Sequence, residues 1–419
     1  MKKVLAILFG LLLIAPATGE LWRIPMLGFD LLPADFLIPL VFVVWVIYKI
    51  HSDRVVRLGR VGKAILIFLA VLFATYFLNF FRFDTHEMIV AGAYLCRFVV
   101  YVLLAFIAFD LIHRDENYWL KIIVGGMTAS MVIISLLGFL QLKFFPSFLE
   151  LGMYLSGWDP HIGRLLSTWF DPNFIGGYLA FILGITIATA LYFRHHKNKR
   201  WFIIMSAISL FGLIAAYLTY SRSSYLAILA MLGILALLKS RKLIAVTVIV
   251  VVLGLFLSTR AQERFMDAWG SARVLFGIDV QQTIDPTTQL RLWSWEFGQE
   301  IVTDHPWIGI GYSRYKYEIN SRGHGLLSDH AAGGSDSSLL TIWATTGIFG
   351  LLTYLAVGFV AAVSGFKHAL KKTDFRSYLS AGLLAGFGGM MIHSIFVNSL
   401  LFPLIMAYLY VGIGMLDEK

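Results

Sequence analysis

The stretch that decides the fold is an apolar run FIIMSAISLFGLIAAYLT at 202–219, the polar hexapeptide Tyr220-Ser221-Arg222-Ser223-Ser224-Tyr225, and a second apolar run LAILAMLGILALL at 226–238. A helix that crosses a bilayer needs about 20 predominantly apolar residues, within a range of roughly 17 to 25. Two consecutive membrane helices, at about 201–219 and 224–239, are therefore predicted, with Arg222 at their junction. An arginine at such a position is costly unless an anion or a water-filled cavity receives it, so it marks function by default.

The same pattern extends outward along the whole chain. Of its 419 residues 58% are hydrophobic and 14% charged, which leaves more apolar surface than one core could hide from water. Twelve spans are predicted, at 3–15, 33–50, 64–81, 88–109, 119–143, 173–193, 201–219, 224–239, 243–258, 338–366, 377–396 and 398–416. The fold class is an all-α polytopic membrane protein of about 12 transmembrane helices. Residues 1–419 form a single membrane domain, and the stretch 259–337 between the ninth and tenth spans is a large external loop, a lid containing short helices.

The net charge of +9 could suggest a nucleic-acid binder, but the placement of the charges excludes that reading. Basic clusters at Lys2-Lys3, Arg54 to Lys63, Arg194 to Arg200, Lys239 to Lys242 and Lys367 to Arg376 all fall on one side of alternating spans. That is the positive-inside pattern, and it predicts both termini cytoplasmic and the large loop outside. Of the twelve basic residues on the opposite face ten are arginine, whose planar fork suits bidentate binding of phosphate or carboxylate better than lysine does. Ion pairing with the acidic residues of that face is the plainer use of any one of them.

Cys96, the only cysteine, lies inside the fourth span, so neither a disulfide nor a cysteine metal site is expected. The start of the chain has the layout of a signal peptide, which is read here as an uncleaved first span. Arg97 lies deep in the fourth span and is expected to pair with Asp84, Glu87 or a backbone carbonyl of another helix. His393 and Asn398 are expected to satisfy interhelical hydrogen bonds.

Two irregular segments stand out on the external side. The first, 144–173, contains Trp158, His161 and Arg164 and ends in Asp171-Pro172-Asn173, a helix cap with proline in the first turn. The second is the 259–337 loop. It opens with Arg260, Glu263, Arg264 and Asp267, spaced as the solvated face of a helix, and continues through Arg291-Leu292-Trp293-Ser294-Trp295 to the turn His305-Pro306-Trp307-Ile308-Gly309-Ile310-Gly311. It closes on a Gly/Ser/His-rich stretch before Asp336.

Taken in order, Arg164-Leu165-Leu166-Ser167-Thr168-Trp169-Phe170-Asp171-Pro172-Asn173, Ser221-Arg222-Ser223, Arg291 to Trp295 and the His305 turn resemble the O-antigen ligase and O-antigen polymerase superfamily of bacterial integral-membrane glycosyltransferases. The last motif departs from the family. Aligned on Thr346-Gly347-Ile348-Phe349-Gly350, Asp336 stands where the family has a histidine and Ser337 where it has an asparagine.

The resemblance implies a membrane glycosyltransferase that moves a glycan from polyprenyl pyrophosphate to a sugar hydroxyl at the outer face of the bacterial cytoplasmic (inner) membrane. It would be a surface-polysaccharide polymerase or ligase, inverting, metal-independent and without cofactors. Arg222 and Arg291 take the pyrophosphate-binding role and Arg164 adds a third contact. Asp336 takes the place of the catalytic base, with His324, His330 and His161 as possible imidazoles. The expected partners are the polyprenyl-pyrophosphate-linked glycan donor, an acceptor hydroxyl on glycan, lipid A core or protein, and the lipid bilayer. A transporter or flippase of lipid-linked sugars is the alternative; the gathering of unusual residues at one face and the lack of an internal repeat disfavour it.

Overall fold

The computed structural model describes residues 1–26, 29–52, 58–275, 284–323, 333–371 and 373–418. Nine helices in it are long and apolar enough to cross a membrane, and three shorter apolar helices accompany them. In chain order the membrane helices are α1 (Lys2–Ile14), α2 (Pro33–His51), α3 (Arg60–Leu78), α4 (Thr85–Arg114), α5 (Glu116–Phe144), α6 (Pro172–His195), α7 (Lys199–Leu218), α8 (Arg222–Leu238) and α9 (Lys242–Leu257). Three short helices follow, α10 (Thr259–Leu275), α11 (Pro286–Asp304) and α12 (Tyr315–Ser321). The membrane set then closes with α13 (Ser338–Ala369), α14 (Phe375–Phe396) and α15 (Pro403–Leu416). A two-stranded hairpin, β1 (Ile24–Met26) and β2 (Phe29–Leu31), lies between α1 and α2.

Lipid tails are as apolar as leucine, so membrane helices pack by close approach of small residues rather than by exclusion from water. The centre of the bundle follows that rule. A Cβ added at Gly184 of α6 would lie 2.5 Å from the Gly382 carbonyl of α14, and one at Gly382 would lie 2.5 Å from the Gly184 carbonyl. The most enclosed of the long helices is α6.

The first span is packed as part of this bundle. Leu5 and Phe9 are fully buried, and the carbonyls of Leu13, Pro16 and Ala17 accept hydrogen bonds from Tyr408 Oη, Trp169 Nε1 and Thr168 Oγ1 at 2.7–2.8 Å.

Arg97 finds a partner other than those expected. It forks onto Asp35 of α2, with Nε and Nη2 at 3.0 and 2.8 Å, and donates to the Asp30 carbonyl of β2. The hairpin is thereby fastened to α4.

Because helices alternate in direction, the connections after α1, α3, α5, α7, α9 and α14 meet at one end of the bundle, and side chains tie them together. The anchor is Arg314, fully buried. It donates to the Asn79 carbonyl at 2.5 Å, the Tyr76 carbonyl at 3.2 Å and Met88 Sδ at 2.8 Å, and its guanidinium lies over the rings of Tyr76 and Phe83. A second fastening is the 306–311 turn. Ile310 N and Gly311 N donate to the carbonyls of Ala344 and Thr345, and Ile348 N to that of Pro306. The run of α13 is interrupted there at Gly347, whose φ of +66° and distance of 2.0 Å from an added Cβ to the Trp307 carbonyl admit only glycine.

Candidate functional site

The tied connections enclose a cavity of about 800 Å³. Arg164, Arg222, Arg291, His161 and Asp336 all line it. They come from the α5–α6 connection, the start of α8, α11 and the start of α13, so the fold gathers residues spread over most of the chain. His324 and His330 lie outside the described residues.

Arg222 owes its place to a three-residue connection between α7 and α8. Tyr220 takes the left-handed conformation with φ +48°, uncommon for a residue other than glycine. Ser221 then caps α8, its Oγ accepting from Ser224 N at 3.4 Å and donating to Asn173 Oδ1 at 2.8 Å. Arg222 is thus the first residue of α8, where the positive end of the helix dipole adds to its own charge.

In the free protein the Arg222 fork is engaged. Nη1 and Nη2 donate to the two carboxylate oxygens of Asp285 at 2.9 and 2.8 Å, so the ion-pairing expectation holds for this arginine. Asp285 caps α11 through Thr288 N at 3.2 Å and also accepts from Ser271 Oγ of α10 at 2.9 Å. Burial pushes the Asp285 carboxyl up, but the bonds from Arg222, Thr288 and Ser271 outweigh it and hold the carboxyl well below the usual range.

Arg291 lies on α11 just beyond that cap. Burial pushes its guanidinium down. The negative charge of Asp336 counters this most strongly and the charge of Arg222 adds to it, so the three groups share one electrostatic neighbourhood. Asp336 itself is placed by its backbone. Its N–H donates to Ser294 Oγ at 2.9 Å and its carbonyl accepts from Trp295 Nε1 at 3.4 Å, both on α11, and Ser337 then caps α13.

Arg164 spends its Nε on the Thr219 carbonyl at 2.8 Å and Nη2 on that of Tyr220 at 3.4 Å. Burial is the main cause that pushes it down to about 9. It therefore braces the turn that presents Arg222 as well as facing the cavity. His161, at 3.4 Å from Arg164 Nη1, is driven down to about 3 by burial and by the neighbouring Arg164, Arg264 and Arg260. Its buried Nε2 has no hydrogen-bond partner among the described residues. Asp171 caps α6 as expected, with Oδ1 accepting from Asn173 N at 2.6 Å and Phe174 N at 3.3 Å, and it also lines the cavity.

The helix α10 departs from its expected solvated face. Glu263 and Asp267 are exposed, whereas Arg264 lines the cavity and Arg260 donates to the carbonyls of Gly163 and Ile162 at 2.9 and 2.7 Å. Sequence reasoning also missed Asp285, Tyr94, Lys316 and the hairpin residues Arg23 and Asp30 on the cavity wall. Asp285-Pro286 repeats the Asp-Pro signature read at Asp171-Pro172 and could have been found by it. His393 bonds Ser399 Oγ at 3.0 Å in the connection after α14 rather than another membrane helix, its Nε2 buried and unpartnered among the described residues, and Asn398 lines the cavity with Oδ1 likewise unpartnered.

No curated protein matches the chain. A family model described as O-antigen ligase matches residues 207–355, from within α7 to within α13. The matched stretch contains Arg222, Asp285, Arg291, the His305 turn and Asp336, and over it the chain is similar to the O-antigen ligase family.

Proposed function

We propose that the cavity transfers a glycan from polyprenyl pyrophosphate to a sugar hydroxyl, by inverting displacement and without a metal, at the external face of the cytoplasmic membrane. The observation that carries this reading is the convergence of Arg222 and Arg291 with Asp336 in one enclosed space under the lid helices. Pyrophosphate leaves readily once its charge is neutralised, and guanidinium forks supply charge-assisted bonds for that purpose. The donor must take over the Arg222 fork from Asp285, and with two phosphates against one carboxylate it has the charge to do so.

In the transfer step the acceptor hydroxyl oxygen forms a bond to the anomeric carbon as its proton passes to the Asp336 carboxylate. The bond from that carbon to the pyrophosphate oxygen breaks, and the pyrophosphate departs with the electron pair onto Arg222 and Arg291. Arg164 contributes by holding the turn before Arg222. A carboxylate in place of the family's histidine accepts the proton through the same general-base chemistry, and it favours growing glycan over lipid A core as the acceptor.

The test is purified protein in detergent with a synthetic polyprenyl-pyrophosphate oligosaccharide as sole substrate, comparing wild type with Asp336→Asn. A ladder of lengthened lipid-linked glycans that drops by about 10³-fold in the variant is expected for loss of a general base. A ladder untouched by the substitution removes Asp336 from the mechanism. The absence of any ladder in wild type moves the function to ligation onto a separate acceptor, or to transport.

A further inference from the structure

The cavity has two chemically different ends. Around Arg222 the charges acting on one another are Arg164, Arg264, Arg291, Asp171 and Asp285, and Asp336 lies beside Arg291 where the lining continues to Tyr315, both Asp336 and Tyr315 bonding Ser294 of α11. At the other end Arg23 pairs with Asp30, Arg97 holds Asp35 and the Asp30 carbonyl beside the Tyr94 ring, and Arg314 ties the segment that carries Tyr312, Lys316 and Tyr317 to α3 and α4. The first set is tied to the α5–α6 connection, α8, α10 and α11, the second to the hairpin, α3 and α4. The first end is an anion site in composition. The second mixes a carboxylate, two cations and tyrosine rings.

We propose that this second end, formed by Arg23, Asp30, Tyr94, Tyr312, Lys316 and Tyr317, is the subsite for the acceptor glycan. The inference rests on the transfer reading given above. Sugar rings present apolar C–H faces between hydroxyls, and they are held by aromatic faces beside carboxylate and guanidinium groups that bond the hydroxyls.

The wall is also cross-linked by side chains. Arg97 pins the hairpin through Asp35 and the Asp30 carbonyl, and its guanidinium lies 5.3 Å from the Tyr94 ring and 6.0 Å from that of Phe29. Arg23 pairs with Asp30 across the hairpin. A site ordered before binding saves the entropy of ordering on binding.

In-line displacement assigns the ligand. With pyrophosphate held at the Arg222 end, the attacking hydroxyl approaches the anomeric carbon from the opposite side. The sugar that carries it belongs at the opposite end of the cavity.

The test separates the ends by two probes: the soluble oligosaccharide released by mild acid from the host's own lipid-linked glycan, and geranylgeranyl pyrophosphate. Binding of each is followed by saturation-transfer NMR on full-length protein in detergent. Tyr94→Ala and Lys316→Ala should weaken the oligosaccharide by about tenfold, the worth of one good ring or charged contact, and leave the pyrophosphate probe unchanged. Lys316 is exposed, so that variant folds irrespective of the outcome. Arg222→Lys should do the reverse.

Oligosaccharide affinity unchanged in both subsite variants, or no oligosaccharide binding to wild type, overturns the proposal. So does a loss in those variants confined to the pyrophosphate probe. A pyrophosphate affinity indifferent to Arg222→Lys breaks the donor reading instead, while the oligosaccharide series still decides the subsite.

Discussion

Arg314 and Arg222 are both poorly exposed arginines at the same end of the bundle, and they are held in opposite ways. Arg314 gives its donors to two main-chain carbonyls and a methionine sulfur and lies between two rings. None of these partners can leave without unfolding the segment it belongs to. Arg222 gives both terminal nitrogens to the carboxylate of Asp285, the cap of α11, a partner that any better anion can replace. A guanidinium satisfied by backbone is a rivet, whereas one satisfied by a carboxylate is a socket with a temporary occupant.

The sharpest way to break that contrast is to shorten both arginines. Arg222→Lys keeps the charge but loses the fork, and transfer from the polyprenyl-pyrophosphate donor should fall by about 10²-fold or more with the melting temperature nearly unchanged. Activity near wild type in a gel-based transfer assay would take Arg222 out of the mechanism. Arg314→Met should do the opposite to stability. It leaves the Tyr76 carbonyl without its side-chain donor and the Asn79 carbonyl with the Arg82 N–H alone, at about 1–3 kcal/mol, read as an earlier thermal transition in detergent. An unchanged transition would show that the 312–317 segment does not depend on this anchor.

A gentler probe is the occupant itself. Asp285→Asn removes the competing charge, so the donor should bind up to about tenfold more tightly, a gain of roughly 1.4 kcal/mol. The donor-free protein should melt lower, because a paired charge has lost its partner. A weaker donor affinity would make Asp285 a positioning group for Arg291 rather than a competitor.

The smallest effect expected is in acid. His161 accepts a proton only near pH 3 in the folded protein and near 6.5 when unfolded, so the unfolded chain binds more protons between these values. Stability then falls as pH drops from about 6.5, by up to about 1.4 kcal/mol per unit. Comparing melting at pH 7.5 and 5.5 for wild type and His161→Gln isolates this slope, and equal slopes would discard it.

What the sequence made legible follows from the range of its signals. The spans were readable because hydrophobic runs are local, and Arg222 was conspicuous because it interrupts one. Arg97 was equally conspicuous, yet its partner Asp35 is 62 residues away on another helix, which no local spacing discloses. Arg264 was misread for the same reason: its spacing with Glu263 and Asp267 is that of a solvated helix, and only docking of α10 by Arg260 onto the 162–163 carbonyls turns it inward. The hairpin at 24–31 carries no periodicity at all. Arg97 fastens it to α4 through the Asp30 carbonyl.

The contacts at the two ends of the chain also bear on the order in which the protein can be assembled. The Leu13 carbonyl accepts from Tyr408. The carboxylate of Asp417 accepts from the N–H groups of Val61 and Gly62 in the first turn of α3. A nascent chain inserted span by span has neither partner until α15 emerges from the ribosome. Until then α1 and α3 present unsatisfied polar groups at their ends, a condition that membrane chaperones and proteases can sense. Packing of α1 and α3 is therefore completed only once α15 and Asp417 have been made, and a chain truncated before Tyr408 should be degraded rather than merely inactive.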